Sequence, residues 1–133
     1  MDLVAQGWGN WIYEGGLTAM EDILVAHADI NVLLSEQDAM AIGALQAITE
    51  AGKKDDILIV AAADGQKEAF ELIMKGEYGA TGLNNPALIA EMAVDIAVRI
   101  LSGESDFPRL IYTPAACISS ENVEKFYNPE AIF

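Results

Sequence analysis

Asn31-Val32-Leu33-Leu34-Ser35-Glu36-Gln37-Asp38-Ala39-Met40-Ala41-Ile42-Gly43-Ala44-Leu45-Gln46-Ala47 decides the fold. Val32 to Leu34 is too short for a helix and too apolar for a loop. Ser35 to Asp38 is polar and turn-like, and Asp38 reads as the N-cap of a helix. Met40, Ala41, Ala44, Leu45 and Ile48 recur at helical spacing until Gly52, a C′ glycine. The order is strand, polar turn, helix. It sets Gln37 and Asp38 just outside the carboxyl end of a strand, where open α/β sheets place their ligands.

The pattern repeats downstream. Ile57-Leu58-Ile59-Val60-Ala61-Ala62-Ala63 shows no alternation, which predicts a strand covered on both faces and hence a parallel sheet. Asp64-Gly65 ends it. Gln66 to Lys75 reads as a helix with Ala69, Phe70, Ile73 and Met74 inward, stopped by Gly76. Tyr78 to Leu83 is a further short strand. Asn84-Asn85-Pro86 then opens the longest helix, Pro86 to Ser102, whose apolar face is Leu88, Ile89, Met92, Ala93, Ile96, Ala97, Ile100 and Leu101. Upstream, Leu3 to Gln6 reads as a weak strand, Gly7-Trp8-Gly9-Asn10-Trp11 as a loop with two indoles, and Gly16 to Ala28 as an amphipathic helix. Leu110 to Tyr112 and Ala115 to Ile118 are strand-like, and Ser120 to Phe126 is a last helical turn. Strand and helix alternate, so the class is α/β with a mostly parallel sheet.

Composition narrows the chemistry. The 133 residues are 53% apolar and carry a formal charge of −14, with no Lys or Arg before Lys53. Repulsion from phosphate argues against nucleic acid and anionic membrane surfaces as partners. No apolar run approaches the length of a bilayer span, and Met1 to Gln6 lacks the basic region and cleavage site of a signal peptide. The single cysteine, Cys117, cannot pair within the chain and is expected to be a small buried side chain.

If the strands are parallel, the residues just past their carboxyl ends share one edge: Trp8 and Trp11, Gln37 and Asp38, Asp64, and Asn84 with Asn85. A sugar asks for this inventory. Its hydroxyls both donate and accept, so carboxylates and amides suit them, and its C–H face packs on an indole. Asp64 is open to two readings, as the cap of the helix after it and as a ligand acceptor. Asp38 reads as a cap, Asn85 as a cap, and Asn84 as the better ligand candidate. Gln37 is either a surface amide or a contact, and Trp11 is preferred to Trp8 for stacking. His27 suits the end of the first helix, where a cation meets the dipole. No motif of a nucleophile elbow, phosphate loop or metal centre is present. No enzyme activity, cofactor or metal is therefore expected. Gly43, inside a helix, predicts close packing against a neighbour.

These residues also carry a resemblance. Glu36-Gln37-Asp38-Ala39-Met40-Ala41-Ile42-Gly43-Ala44-Leu45-Gln46-Ala47 resembles the "ND-x-MA-x-GA-x-x-A" signature of periplasmic sugar-binding proteins of the ribose-binding type. Val60-Ala61-Ala62-Ala63-Asp64-Gly65 resembles their "V-G-F-D-G" segment. Gly79-Ala80-Thr81-Gly82-Leu83-Asn84-Asn85-Pro86 is similar to their "ATxxQxP" crossing segment, and Ile118-Ser119-Ser120-Glu121-Asn122-Val123 to their "T-x-E-N-V". The resemblance implies a flavodoxin-like parallel sheet flanked by helices, an incomplete lobe of the type I periplasmic binding fold, in a parent protein that lies outside the cytoplasm and delivers a monosaccharide to an ABC permease. It implies that Asp64 accepts sugar hydroxyls, that Asn84 stands where the family's glutamine meets the ring, and that Trp11 stacks. Gln37 replaces the usual asparagine, and Ala62 and Ala63 replace a glycine and an aromatic.

The match begins part-way through the family's second lobe. Residues 1–85 then belong to that carboxy-terminal lobe, and residues 86–133 form a crossing helix, strands and tail that in the family pack on the other lobe. Surface left bare in this way predicts a homodimer. The effector domain of a LacI-type transcription regulator shares the fold and is the alternative. Such domains tend to show two acidic residues at the place of Asp64-Gly65, and they follow a basic DNA-binding head.

Overall fold

The computed structural model describes residues 2–133. Its elements in order are α1 (Tyr13–Ala26), β1 (Val32–Ser35), α2 (Asp38–Glu50), β2 (Leu58–Ala61), α3 (Lys67–Met74), β3 (Ala80–Gly82), α4 (Pro86–Leu101), β4 (Cys117–Ser119) and a 3-10 turn, Val123–Lys125. The sheet order is β1-β2-β3-β4. β1 pairs parallel with β2 in the register Val32 with Leu58 to Ser35 with Ala61, and β2 pairs parallel with β3. β4 closes the sheet antiparallel to β3, with Thr81 opposite Ile118. Residues 116–127 therefore lie against the sheet rather than apart from it.

The core lies on one face of the sheet. Ile57, Ile59 and Ala61 point into it and meet Ala41, Ala44, Leu45 and Ile48 of α2 and Ala69, Phe70 and Ile73 of α3. α1 packs on α2 rather than on the sheet, and the crossing is close because both helices carry glycine there. A Cβ at Gly43 would run into the Tyr13 carbonyl, and one at Gly16 into the Met40 carbonyl. The close packing expected of Gly43 is what the structure shows.

Four expectations need correction. The run 57–63 is not covered on both faces: burial alternates along β2, with Ile59 enclosed and Leu58 55% exposed, and Leu34 of β1 is 65% exposed on the same bare face. Leu3–Gln6 forms no strand. It has no neighbour to bond with, because a cleft of about 390 Å³ separates it from β1, and Gly7 at its end rests against Ala19 and Ile23 of α1. Leu110–Tyr112 forms no strand either. Cys117 is exposed, since the two-residue period of β4 turns Ile118 inward and its neighbours outward.

α4 is well capped but buries none of its residues. Its polar side chains Glu91, Asp95 and Arg99 follow one i, i+4 line, and almost all the remaining circumference is apolar. The chain exposes 8757 Å² in total. A compact chain of 14.2 kDa exposes about 6,800 Å², so about 2,000 Å² stands in excess. The excess sits on α4, on the bare sheet face and on the extended stretch at Leu110, Ile111 and Tyr112. Among the described residues no helix is long and apolar enough to cross a membrane.

Candidate functional site

β1 ends in a serine turn: the Ser35 hydroxyl donates to the Gln37 carbonyl at 2.8 Å and accepts from its N–H at 3.3 Å. The turn sets Gln37, and not Asp38, as the N-cap of α2; its Oε1 accepts from the Met40 N–H at 3.0 Å. Gln37 keeps its amide N–H₂ and one lone pair of Oε1 for anything outside. Asp38 is the first residue of the helix and is 0% exposed. Its Oδ2 accepts from the Gly65 N–H at 2.8 Å and the Gln66 N–H at 3.0 Å, and its Oδ1 from the Tyr78 hydroxyl at 2.8 Å. The expected cap is thus a buried brace between α2 and the loop after β2. Burial pushes its carboxyl above the ordinary value, and these donors pull part of the way back. The buried Thr81 hydroxyl lies beside it without a hydrogen bond of normal geometry. Burial, then the Asp38 charge, pushes the Tyr78 hydroxyl well up, so it stays protonated and donates.

Asp64 follows β2 and is half-buried. α3 has Gln66 at its N-cap and no side-chain cap bond, so Asp64 does not cap it. The Gly65 and Gln66 N–H groups that it could have bonded are taken by Asp38. Its backbone is tied to β3: Asp64 N–H donates to Gly82 O at 3.2 Å, and Asn84 N–H donates to Asp64 O at 3.0 Å. Asp64 and Asn84 therefore stand side by side past two adjacent parallel strands. Asn85 is the cap of α4, accepting from Ala87 N–H at 2.9 Å and Leu88 N–H at 3.2 Å, which leaves Asn84 without a capping duty.

Trp11 lies in the turn before α1, at φ 61°, and is 64% exposed. With Trp8 it lines the cleft beside β1, together with Ser35, Glu36 and Met40 from the start of α2. Gln37, Asp64 and Asn84 thus share the carboxyl edge of the sheet, and Trp11 flanks that edge at β1. The cleft takes in neither Asp64 nor Asn84, so the four residues border an open edge rather than one enclosed pocket. No group of three or more His, Cys, Asp or Glu among the described residues could hold a metal ion. Sequence reasoning missed the brace. Gln37 and Asp38 are adjacent and both able to cap, and Tyr78, forty residues on, carries no local sign of a bond to Asp38.

Residues 1–105 match the family model of the periplasmic binding protein domain. The ribose import binding protein RbsB of Bacillus subtilis is 42% identical over 89 residues, 67% of this chain and 28% of that protein. The D-apiose import binding protein of Paraburkholderia graminis is 30% identical over 126 residues, 94% of this chain and 40% of its own length. Among solved structures, an ABC transporter solute-binding protein of Actinobacillus succinogenes with bound D-allose superposes with a TM-score of 0.87 at 27% identity, covering 93% of this chain and 43% of that one. One from Bacillus halodurans with bound myo-inositol gives 0.85 at 27% identity over 94% and 42%. The chain spans well under half the length of each. With a parallel α/β sheet, the matching signature segments and these likenesses, the chain belongs to the periplasmic binding protein family, and its relatives there include ribose import binding proteins.

Proposed function

We propose that this chain is the carboxy-terminal part of the solute-binding component of an ABC sugar importer and carries one side of a monosaccharide site. One observation carries the reading: the Asp64 carboxylate stands half-buried at the sheet edge beside Asn84, with no partner of its own among the described residues. In this reading Asp64 accepts two hydroxyl donors. Asn84 donates and accepts. Gln37 chiefly donates, since one lone pair of its oxygen is taken by the helix cap. Trp11 packs on the C–H face of the ring. Such a site, outside the cytoplasm, binds without turnover, needs no cofactor, and hands its sugar to a permease. The division at residue 85 obeys the same logic: 1–85 form the sugar-side lobe, and 86–133 carry the crossing helix that reaches toward a second body.

Calorimetric titration of the full-length protein containing this lobe, with ribose, allose, apiose and myo-inositol, tests the reading. Asp64→Ala should cost about 2–4 kcal/mol of affinity, roughly 30- to 700-fold, because charge-assisted hydrogen bonds are lost and hydroxyls are left unpaired. An Asp64→Ala protein with unchanged affinity for a sugar that the wild type binds would sink it. For this chain alone we propose a homodimer that covers the excess surface.

A further inference from the structure

A fully buried carboxylate is an expensive way to hold a loop. Asp38 has no Lys, Arg or His in ion-pair contact among the described residues and is compensated by N–H and O–H donors alone. Those donors are in a telling place. An aspartate readily bonds the N–H two residues on, closing an Asx turn, and for Asp64 that group is the Gln66 N–H. Asp38 occupies it at 3.0 Å, reaching across from another helix.

We infer that Asp38 is the positioning residue of the sugar site: by taking the Gly65 and Gln66 N–H groups it denies Asp64 its local Asx turn and leaves that carboxylate free at the sheet edge. The inference rests on Asp64 being the ligand acceptor, but its mechanism is a competition between two carboxylates for one N–H. The Tyr78 hydroxyl orients the brace by holding the other oxygen, so that Oδ2 points at the loop. Glutamate at position 38 would be one methylene too long for this geometry, and asparagine would keep an acceptor oxygen.

A double-mutant cycle on thermal stability of this chain tests the competition without any sugar. Asp64→Ala in the wild type should leave the melting temperature unchanged within about 1 °C, because its side chain holds nothing. With Asp38→Ala, Asp64 captures the vacated Gln66 N–H, and adding Asp64→Ala should lower the melting temperature by about a further 3–5 °C. In an Asp38→Asn background the Asp64→Ala change should again be silent. Equal effects of Asp64→Ala in the wild-type and Asp38→Ala backgrounds would overturn the proposal and make Asp38 structural only. If Asp38→Ala does not fold, amide spectra decide. Asp64→Ala should leave the Gln66 amide proton in place and Asp38→Asn should move it; the opposite pattern refutes the inference. Failure to bind sugar leaves this result untouched, and additivity here leaves the sugar reading untouched.

Discussion

The excess surface makes the sharpest prediction, that this chain associates in pairs. About 2,000 Å² above the expectation for 14.2 kDa is exposed by each copy. A two-fold pair that covers only half of it on each side buries about 2,000 Å² in total, the upper end of a standard specific interface. α4 is the natural contact. It buries nothing of its own, and Val94, Val98, Ile100 and Leu101 are exposed, Leu101 by 87%. Val94→Lys with Val98→Lys places two like charges one turn apart on that face. The pair should then repel its copy and shift toward monomer by at least tenfold in dissociation constant. The fold of the lobe should not suffer, because neither valine contributes to the core. Light scattering after gel filtration over about 1–100 μM, where a standard interface is populated, reads the association, and thermal melts read the fold. A wild-type chain that elutes throughout at 14.2 kDa would refute the argument from area.

Asn85→Ala removes two cap bonds, to Ala87 and Leu88, and should cost α4 about 1 kcal/mol. Because α4 buries none of its residues fully, far-ultraviolet circular dichroism should lose helix while the melting temperature holds; a clear fall in melting temperature would show that α4 is coupled to the core. Stability should also rise on mild acidification. Asp38 is raised in the folded chain and titrates near 3.8 when unfolded, so the folded form binds more protons between those two values and stability is lost as pH climbs through them. The 21 acidic against 7 basic residues push in the same direction. On acidification from neutrality toward that window melting temperatures should increase, less so in Asp38→Asn, and a wild-type fall that Asp38→Asn shares in full would contradict the assignment.

Much of this architecture is legible in the sequence because it rests on local signals. The three parallel strands, four helices, the Asn85 cap and the tight glycine at position 43 each announce themselves through period, cap chemistry or a small residue. What was not legible depends on distant partners. Asp38 looks like an ordinary cap until Tyr78 and the Gly65–Gln66 backbone arrive beside it. Leu3–Gln6 has strand composition, yet a strand needs a neighbour, and composition cannot supply one. The placement of the candidate residues along one edge was readable once the strands were parallel. Their hydrogen-bond commitments were not, and those decide that Asp64 is free while Gln37 is half-spent.

The mismatch at β2 carries the last step. Ile57 to Ala63 is apolar without alternation, a composition suited to cover on both faces, while the structure covers one. Topology explains which cover is missing. β1, β2 and β3 succeed one another in a single direction across the sheet, and crossovers of one hand moving in one direction put α2 and α3 on the same face. Helices reach the opposite face only when the winding reverses, and β1 offers the edge for that reversal. Asn31 and Ser35 give their carbonyls to β2, so Val32 and Leu34, alternating with them, present their backbone groups to the free side. The point of reversal is where open α/β sheets bind ligands. It lies beside the cleft lined by Trp8 and Trp11, one turn of chain from Gln37. The bare sheet face, the free edge of β1 and the two exposed indoles thus share one place: each lies on the side of β1 where the winding of the sheet would reverse.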